Sequence, residues 1–332
     1  MKAEIRDITA VGVCLRLIYR VQSLKKVSSK ALRAIVAHED WLPTLNRFYN
    51  KLNFDSKGLF HGIYSNAFEN STGPKYRAIW NAKFLNSNVS MPLDFAGGDL
   101  DWINAISILG HDTEIKQSYE TLLKSRRRPN VFFDIGANYG THSLLMLSQQ
   151  ITTVSFEPNP ACKVKFKELC ALNNLVGQME TVAVGAEEGS ATFWLPESHP
   201  WLGTILRDTK IKLEGYDLKE TTVAVISVDT YVRRSGLVPD VIKIDTEGNE
   251  ASVIKGANET IGNNEIVVIF ECNELSSKHE LWHSFRDLKY IVCRLPLRVG
   301  RSIQKLSLEE MISDSNVNYL ALPEKQSRRV WG

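Results

Sequence analysis

The chain has five cysteines, Cys14, Cys162, Cys170, Cys272 and Cys293, with no CxxC spacing among them. An odd number without such pairs excludes a disulfide framework and points to a reducing compartment, the cysteines serving as small core residues. Neither sign of charge prevails: 40 basic against 38 acidic residues leave a net charge of +2. No global field therefore marks a nucleic-acid binder, and an acceptor need not be anionic. A long hydrophobic run is also missing. Residues 8–15 (ITAVGVCL) are apolar, but Glu4, Arg6 and Asp7 precede them, and Arg16 and Arg20 break the apolar pattern on the other side. That run is too short for a bilayer and lacks a clean basic leader, so the expectation is a cytoplasmic protein without stable membrane insertion. With Lys25 and Lys26 the same stretch suits an amphipathic helix, expected to pack on its own protein rather than on a membrane surface.

What is present is the composition of a globular protein. In 332 residues, 43% hydrophobic and 23% charged, the chain can bury one large core or two smaller ones. Residues 1–125 read as an accessory region, with a helical start, alternating stretches near 75–84 and a helix-like run over 113–123. They carry no evident chemistry and are left open to substrate or oligomer contacts. KSRRRP at 124–129 reads as a solvated, proline-closed linker. From Val131 to about Pro323 the pattern changes. Strand-like VFFDI (131–135), TVSF (153–156), TVAV (181–184), VIKID (241–245) and IVVIF (266–270) alternate with helical segments. Such runs, covered on both faces, predict a parallel α/β sheet within residues 126–332.

The sharpest local signal is DIGANYG (134–140), directly after the first of these strands and before a helical run. Glycines at 136 and 140 let the backbone turn and approach a ligand at the carboxyl edge of the sheet. The spacing is GxxxG, without the middle glycine that admits a dinucleotide pyrophosphate, so a cofactor without phosphates fits better. Glu157 ends the next strand at the distance where an acid meets a ribose diol in Rossmann-type sites, and its carboxylate can accept both hydroxyl protons.

DIGANYG, SFEPNP (155–160), VAVG (182–185), KIDTEGNE (243–250) and FECNE (270–274), in this order, resemble the FkbM family of S-adenosylmethionine-dependent methyltransferases over roughly residues 110–275. The resemblance implies a class I methyltransferase (Rossmann-like) α/β fold, a seven-stranded sheet whose last, antiparallel strand NVNYLAL (316–322) can supply. It implies O-methylation of a sugar, glycolipid or secondary metabolite. It places S-adenosylmethionine against Asp134, Gly136, Ala137, Asn138 and Gly140, the ribose on Glu157 beside Pro158, the adenine near Asn159 and Ala183, and the methionine end near Asp245. A small-molecule or glycan acceptor is the expected partner, with homo-oligomerisation left open.

Transfer from a sulfonium is an in-line displacement that requires positioning and, for a hydroxyl, removal of a proton, so a base or a divalent metal is expected. Asp245, Glu247 and Glu271 lie at the ends of central strands and gather at the cofactor edge. Glu247 and Glu271 are the expected catalytic acids, with Asp245 in either role, while Asn249 and Glu250 read as the cap and acidic first turn of a helix. His199, in an insertion between strands, is a further candidate base, and Trp201 and Asn273 are candidates for substrate contact. HELWH at 279–283 matches the zinc-protease pattern HExxH. Its histidines lie opposite the apolar stripe of Leu281, Phe285 and Leu288 and lack a near third ligand, so no metal site is expected there. Outside O-methylation the alternatives are N-methylation, a binding module without catalysis and, remotely, that hydrolase.

Overall fold

The computed structural model describes residues 2–68, 76–95, 101–196, 203–205, 215, 217–272 and 277–326. The chain divides into two compact units, Met1–Gln117 with Leu172–Asn174, and Ser118–Ala171 with Leu175–Gly332. The first contains α1 (Lys2–Arg20), α2 (Gln22–Val36), α3 (Leu42–Lys51), α4 (Phe54–Tyr64), a hairpin of β1 (Arg77–Phe84) and β2 (Ser87–Asp94), and α5 (Trp102–Gly110). Helices α4 and α5 start where Asn53 and Asp101 accept the backbone N–H of Ser56 and Asn104, which satisfies an end the helix leaves open. The hairpin alternates exposed and buried positions, and its Trp80 meets Tyr49 at 5.1 Å and Trp102 at 5.4 Å between ring centroids. These rings are 1% exposed or less and give the unit its own core.

The division falls inside α6 (Thr113–Lys124). The second unit then runs through β3 (Val131–Ile135), α7 (Thr141–Ser148), β4 (Thr152–Phe156), α8 (Pro160–Leu172), β5 (Gln178–Glu180), β6 (Ala183–Val184), β7 (Gly189–Pro196), β8 (Leu218–Ile226) and α9 (Val228–Ser235). It continues with β9 (Val241–Ile244), α10 (Glu250–Lys255), α11 (Asn258–Asn263), β10 (Val267–Glu271), α12 (Lys278–Asp287), β11 (Tyr290–Arg294), α13 (Leu308–Ser313) and β12 (Asn318–Pro323). Seven strands form one sheet in the order β11-β12-β10-β9-β3-β4-β5. Strands β10, β9, β3, β4 and β5 pair in parallel, whereas β12 runs antiparallel to both its neighbours. This is the class I methyltransferase sheet that the sequence implied.

The central strands are apolar on both faces because helices cover both, and Phe133, Ile135, Ile242, Ile244, Val268 and Phe270 are at most 1% exposed. Burying each such side chain contributes about 1.5–3 kcal/mol. Two local expectations differ from the structure. TVAV does not join the large sheet: its Ala183–Val184 pair with β8 in a separate three-stranded sheet, β6-β8-β7. A four-residue apolar run states that it will be buried but not in which sheet. The segment read as a solvated linker is exposed at Lys124, Arg126, Arg127 and Arg128 as read, but it is not free of contacts, since Pro129 is buried and Arg127 Nη1 lies 2.7 Å from Glu265 Oε2. Among the described residues no helix is long and apolar enough to cross a membrane.

Candidate active site

The glycine turn after β3 is built by close approach. Gly136 has φ of +74°, and a Cβ there would sit 1.7 Å from the carbonyl oxygen of Asp245, so side-chain and backbone sterics both exclude any other residue. Its N–H and that of Ala137 donate to Phe156 O. Gly140, at φ +73°, begins α7 with the Phe166 ring where a Cβ would point. Asn138 takes a positive φ of 50° between them, which turns its N–H toward Glu157 Oε2 at 3.0 Å. Glu157 Oε1 accepts from Asn159 N at 2.9 Å. Held by two backbone donors, the carboxylate is fixed beside the turn, and burial pushes its pKa up to about 7. Each of its oxygens has a further lone pair.

Beside this turn, Gly136, Asn138, Glu157, Asp245, Glu247 and Asn249 line a cleft enclosing about 690 Å³ of empty space open to solvent. Pro158, Val182, Ala183 and Phe193 give it apolar walls, and Thr204 joins them through a two-bond backbone pairing with Trp194. This mixture of polar groups and apolar walls suits a small cofactor. Helix α10 begins at its floor. Asn249 does not cap that helix as expected, because its Nδ2 donates to Val184 O at 2.9 Å and ties the two sheets together. Glu250 instead holds the loop before the helix, accepting from Thr246 N, Thr246 Oγ1 and Gly248 N through one oxygen.

The acids form a second group. In the register of the parallel β9 and β10, Ile244 lies opposite Phe270, so Asp245 and Glu271 leave the sheet side by side. Oxygens of Asp245, Glu247 and Glu271 lie within 4.8 Å of one another, and Glu247 holds a positive φ of 53°. Burial raises the Glu271 pKa well above the ordinary carboxylate range, and the charges of Asp245 and Glu247 raise it further. At neutral pH Glu271 therefore keeps its proton and donates it to Asp245. Asp245 Oδ2 also receives Lys243 Nζ at 2.9 Å, a lysine 4% exposed. Holding a divalent ion on these three acids would require Glu271 to give up its proton, since a metal binds the ionised carboxylate.

Some expected residues lie elsewhere. Asp134 is fully buried and does not line the cleft: its Oδ2 accepts from Ser143 N at 3.0 Å and Ser143 Oγ at 2.6 Å. Its Oδ1 has no hydrogen-bond partner and faces Lys243 Nζ at 3.9 Å. Ala137 and Gly140 shape the turn from behind, and Asn159 Oδ1 caps the start of α8 by accepting from Ala161 N. His199, Trp201 and Asn273 lie outside the described residues. His279 is exposed on α12 and His283 half-buried, and among the described residues no third ligand joins them. Phe193, Thr204 and Lys243 were not anticipated. Lys243 carried a signal, since a lysine inside an otherwise apolar buried strand needs an acidic partner.

Residues 134–292 match the family model described as the methyltransferase FkbM domain. Over that stretch the chain is similar to the FkbM methyltransferases. It is similar to the hexuronic acid methyltransferase AglP of Haloferax volcanii, 29% identical over 151 residues, which cover 45% of this chain and 58% of that relative. It thus spans less than two thirds of that relative's length. Among solved structures, similar chains include a methyltransferase FkbM from Methylobacillus flagellatus (13% identity, TM-score 0.36, 66% of this chain and 54% of that one). Another is the O-methyltransferase from a trans-AT PKS multienzyme of Brevibacillus brevis in complex with S-adenosyl-L-homocysteine (12% identity, TM-score 0.32, 54% of this chain and 52% of that one).

Proposed function

We propose that this protein is an S-adenosylmethionine-dependent methyltransferase acting on a hydroxyl of a sugar, glycolipid or secondary metabolite. Residues 126–332 are the methyltransferase domain, and residues 1–125 an accessory region for substrate or oligomer contacts. S-adenosylmethionine, when bound, supplies a methyl group activated on a sulfonium. Gly136 gives the backbone its close approach, Glu157 accepts from the ribose hydroxyls, and Ala183 with Phe193 covers the adenine. Asp245, paired with Lys243, faces the methionine end.

The observation that carries O-methylation is the acid cluster at the strand ends. A hydroxyl must surrender its proton as it is methylated, and a carboxylate within hydrogen-bond reach of the acceptor can take it. Glu271, whose carboxyl is pushed up by burial and by the charges of Asp245 and Glu247, favours its protonated form, is the poorer base and fixes the direction of Asp245 through their hydrogen bond. Glu247 is the carboxylate that receives the proton. A glycan acceptor is also in keeping with the hexuronic acid substrate named for the Haloferax relative. Incubating the protein with methyl-labelled S-adenosylmethionine and a panel of glycans and small metabolites, then locating the label, tests the reading. An O-methyl product is expected, and an N-methylated product as the only one formed would overturn it.

A further inference from the structure

Between Asp7 and Glu39 the chain carries six basic residues, Arg16, Arg20, Lys25, Lys26, Lys30 and Arg33, and no acidic one. Both helices in this stretch pack on α4. Helix α1 does so through Gly12 and Leu15, both buried, as an amphipathic helix should. At 100° per residue the opposite side presents Ala10, Val13, Cys14 and Leu17, all exposed, Val13 by 60% and Leu17 by 57%. A helix facing water should be polar there. Helix α2 repeats the arrangement: Leu32 and Val36 are buried, and turned away from them Val27, 65% exposed, stands between Lys26 and Lys30 with Leu24 on the flank.

We propose that the outward faces of α1 and α2 bind the surface of an anionic lipid bilayer. Apolar side chains enter the boundary between headgroups and acyl chains while the neighbouring cations meet lipid phosphates and carboxylates, the composition of helices that lie in a membrane plane. The charge selects this occupant. A second copy would bring cations against cations, and a nucleic acid would satisfy the cations but leave Val13, Leu17 and Val27 without apolar cover. Asp55, the acid that borders the same depression as Arg16 and Arg20, belongs to α4, so Lys26 and Lys30 carry the larger share of the attraction.

Cosedimentation of the full chain with phosphatidylcholine vesicles, alone and with phosphatidylglycerol at about one third, tests this. Binding is expected to the anionic vesicles only, weakening as salt rises. K26A/K30A should lower affinity about thirtyfold, at roughly fivefold for each cation. L17Q/V27Q retains every charge and should lower it tenfold or more, with an unchanged melting temperature because these side chains are exposed. Equal binding to neutral vesicles, or full binding by L17Q/V27Q, would overturn the proposal. So would tighter binding to single-stranded nucleic acid that L17Q/V27Q leaves intact, which would make this an electrostatic patch alone. A dimer in sedimentation velocity that L17Q/V27Q dissociates would overturn it as well, and assign the surface to self-association.

Discussion

Replacing Glu157 by Gln tests the cofactor site at its most constrained point. Glu157 is 8% exposed and both its oxygens accept a backbone N–H, from Asn138 at 3.0 Å and Asn159 at 2.9 Å. An amide retains one acceptor oxygen and turns its NH2 on the other donor, so one backbone N–H loses its partner and one ribose hydroxyl its acceptor. At about 1–3 kcal/mol for a buried group left unsatisfied, affinity for S-adenosylmethionine should fall about 5- to 150-fold. The pH dependence is more specific. Burial raises the carboxyl from 4.5 to about 7 in the folded protein. The raised value means that its contribution to stability is fully present below about pH 4.5 and is lost as pH rises through 7, amounting to about 3 kcal/mol. The ribose needs the ionised form, so affinity moves the other way, improving as pH rises to about 7 and levelling above it. Titration calorimetry between pH 5.5 and 8.5 on the wild type and Glu157→Gln measures both. A wild-type affinity independent of pH, or a variant with the same pH slope as the wild type, would refute the assignment of Glu157 to the ribose.

Glu247→Gln should lower turnover about 100-fold with the cofactor dissociation constant unchanged, measured by radiolabel transfer and calorimetry; retained turnover would remove Glu247 as the base. Because Glu271 is held protonated, Glu271→Gln keeps a donor toward Asp245 and should stay within a few-fold of wild-type turnover, whereas Glu271→Ala should lose ten-fold or more; equal losses in the two variants would contradict a protonated Glu271. Gly136→Ala places a methyl into the Asp245 carbonyl at positive φ and should cost about 3 kcal/mol, a drop of roughly 6–12 °C in melting temperature, and a wild-type melting curve would show that the turn can relax. Elemental analysis of untagged protein should find no stoichiometric zinc, and zinc lost in His279→Ala would revive the hydrolase reading of HELWH.

Elements whose signal is local can be read along the chain. VFFDI, VIKID and IVVIF are strands wherever they are buried on both faces, and a GxxxG turn between strand and helix states that the backbone will come close to something. Glu157 was legible for the same reason, because a strand end and a chain separation place it beside the turn. The apolar stripe of α12 likewise set His279 outward without reference to the rest of the fold, whereas His283 is half-buried. Contacts over longer distances needed the folded molecule. Asp245 and Glu271 are 26 residues apart, and only the register of β9 on β10 brings them together and turns Glu271 from a candidate base into a protonated donor. Asn249 reads as a cap until Val184 O is placed within its reach. Asp134 looks like a ligand until Ser143 and Lys243 surround it. Phe193 and Thr204 enter the cleft only because TVAV joined the smaller sheet. Periodicity and sterics act over a few residues, which is why the strands and the turn were visible in advance. Protonation, hydrogen-bond choice and cavity walls depend on neighbours in space, and sequence distance does not encode them.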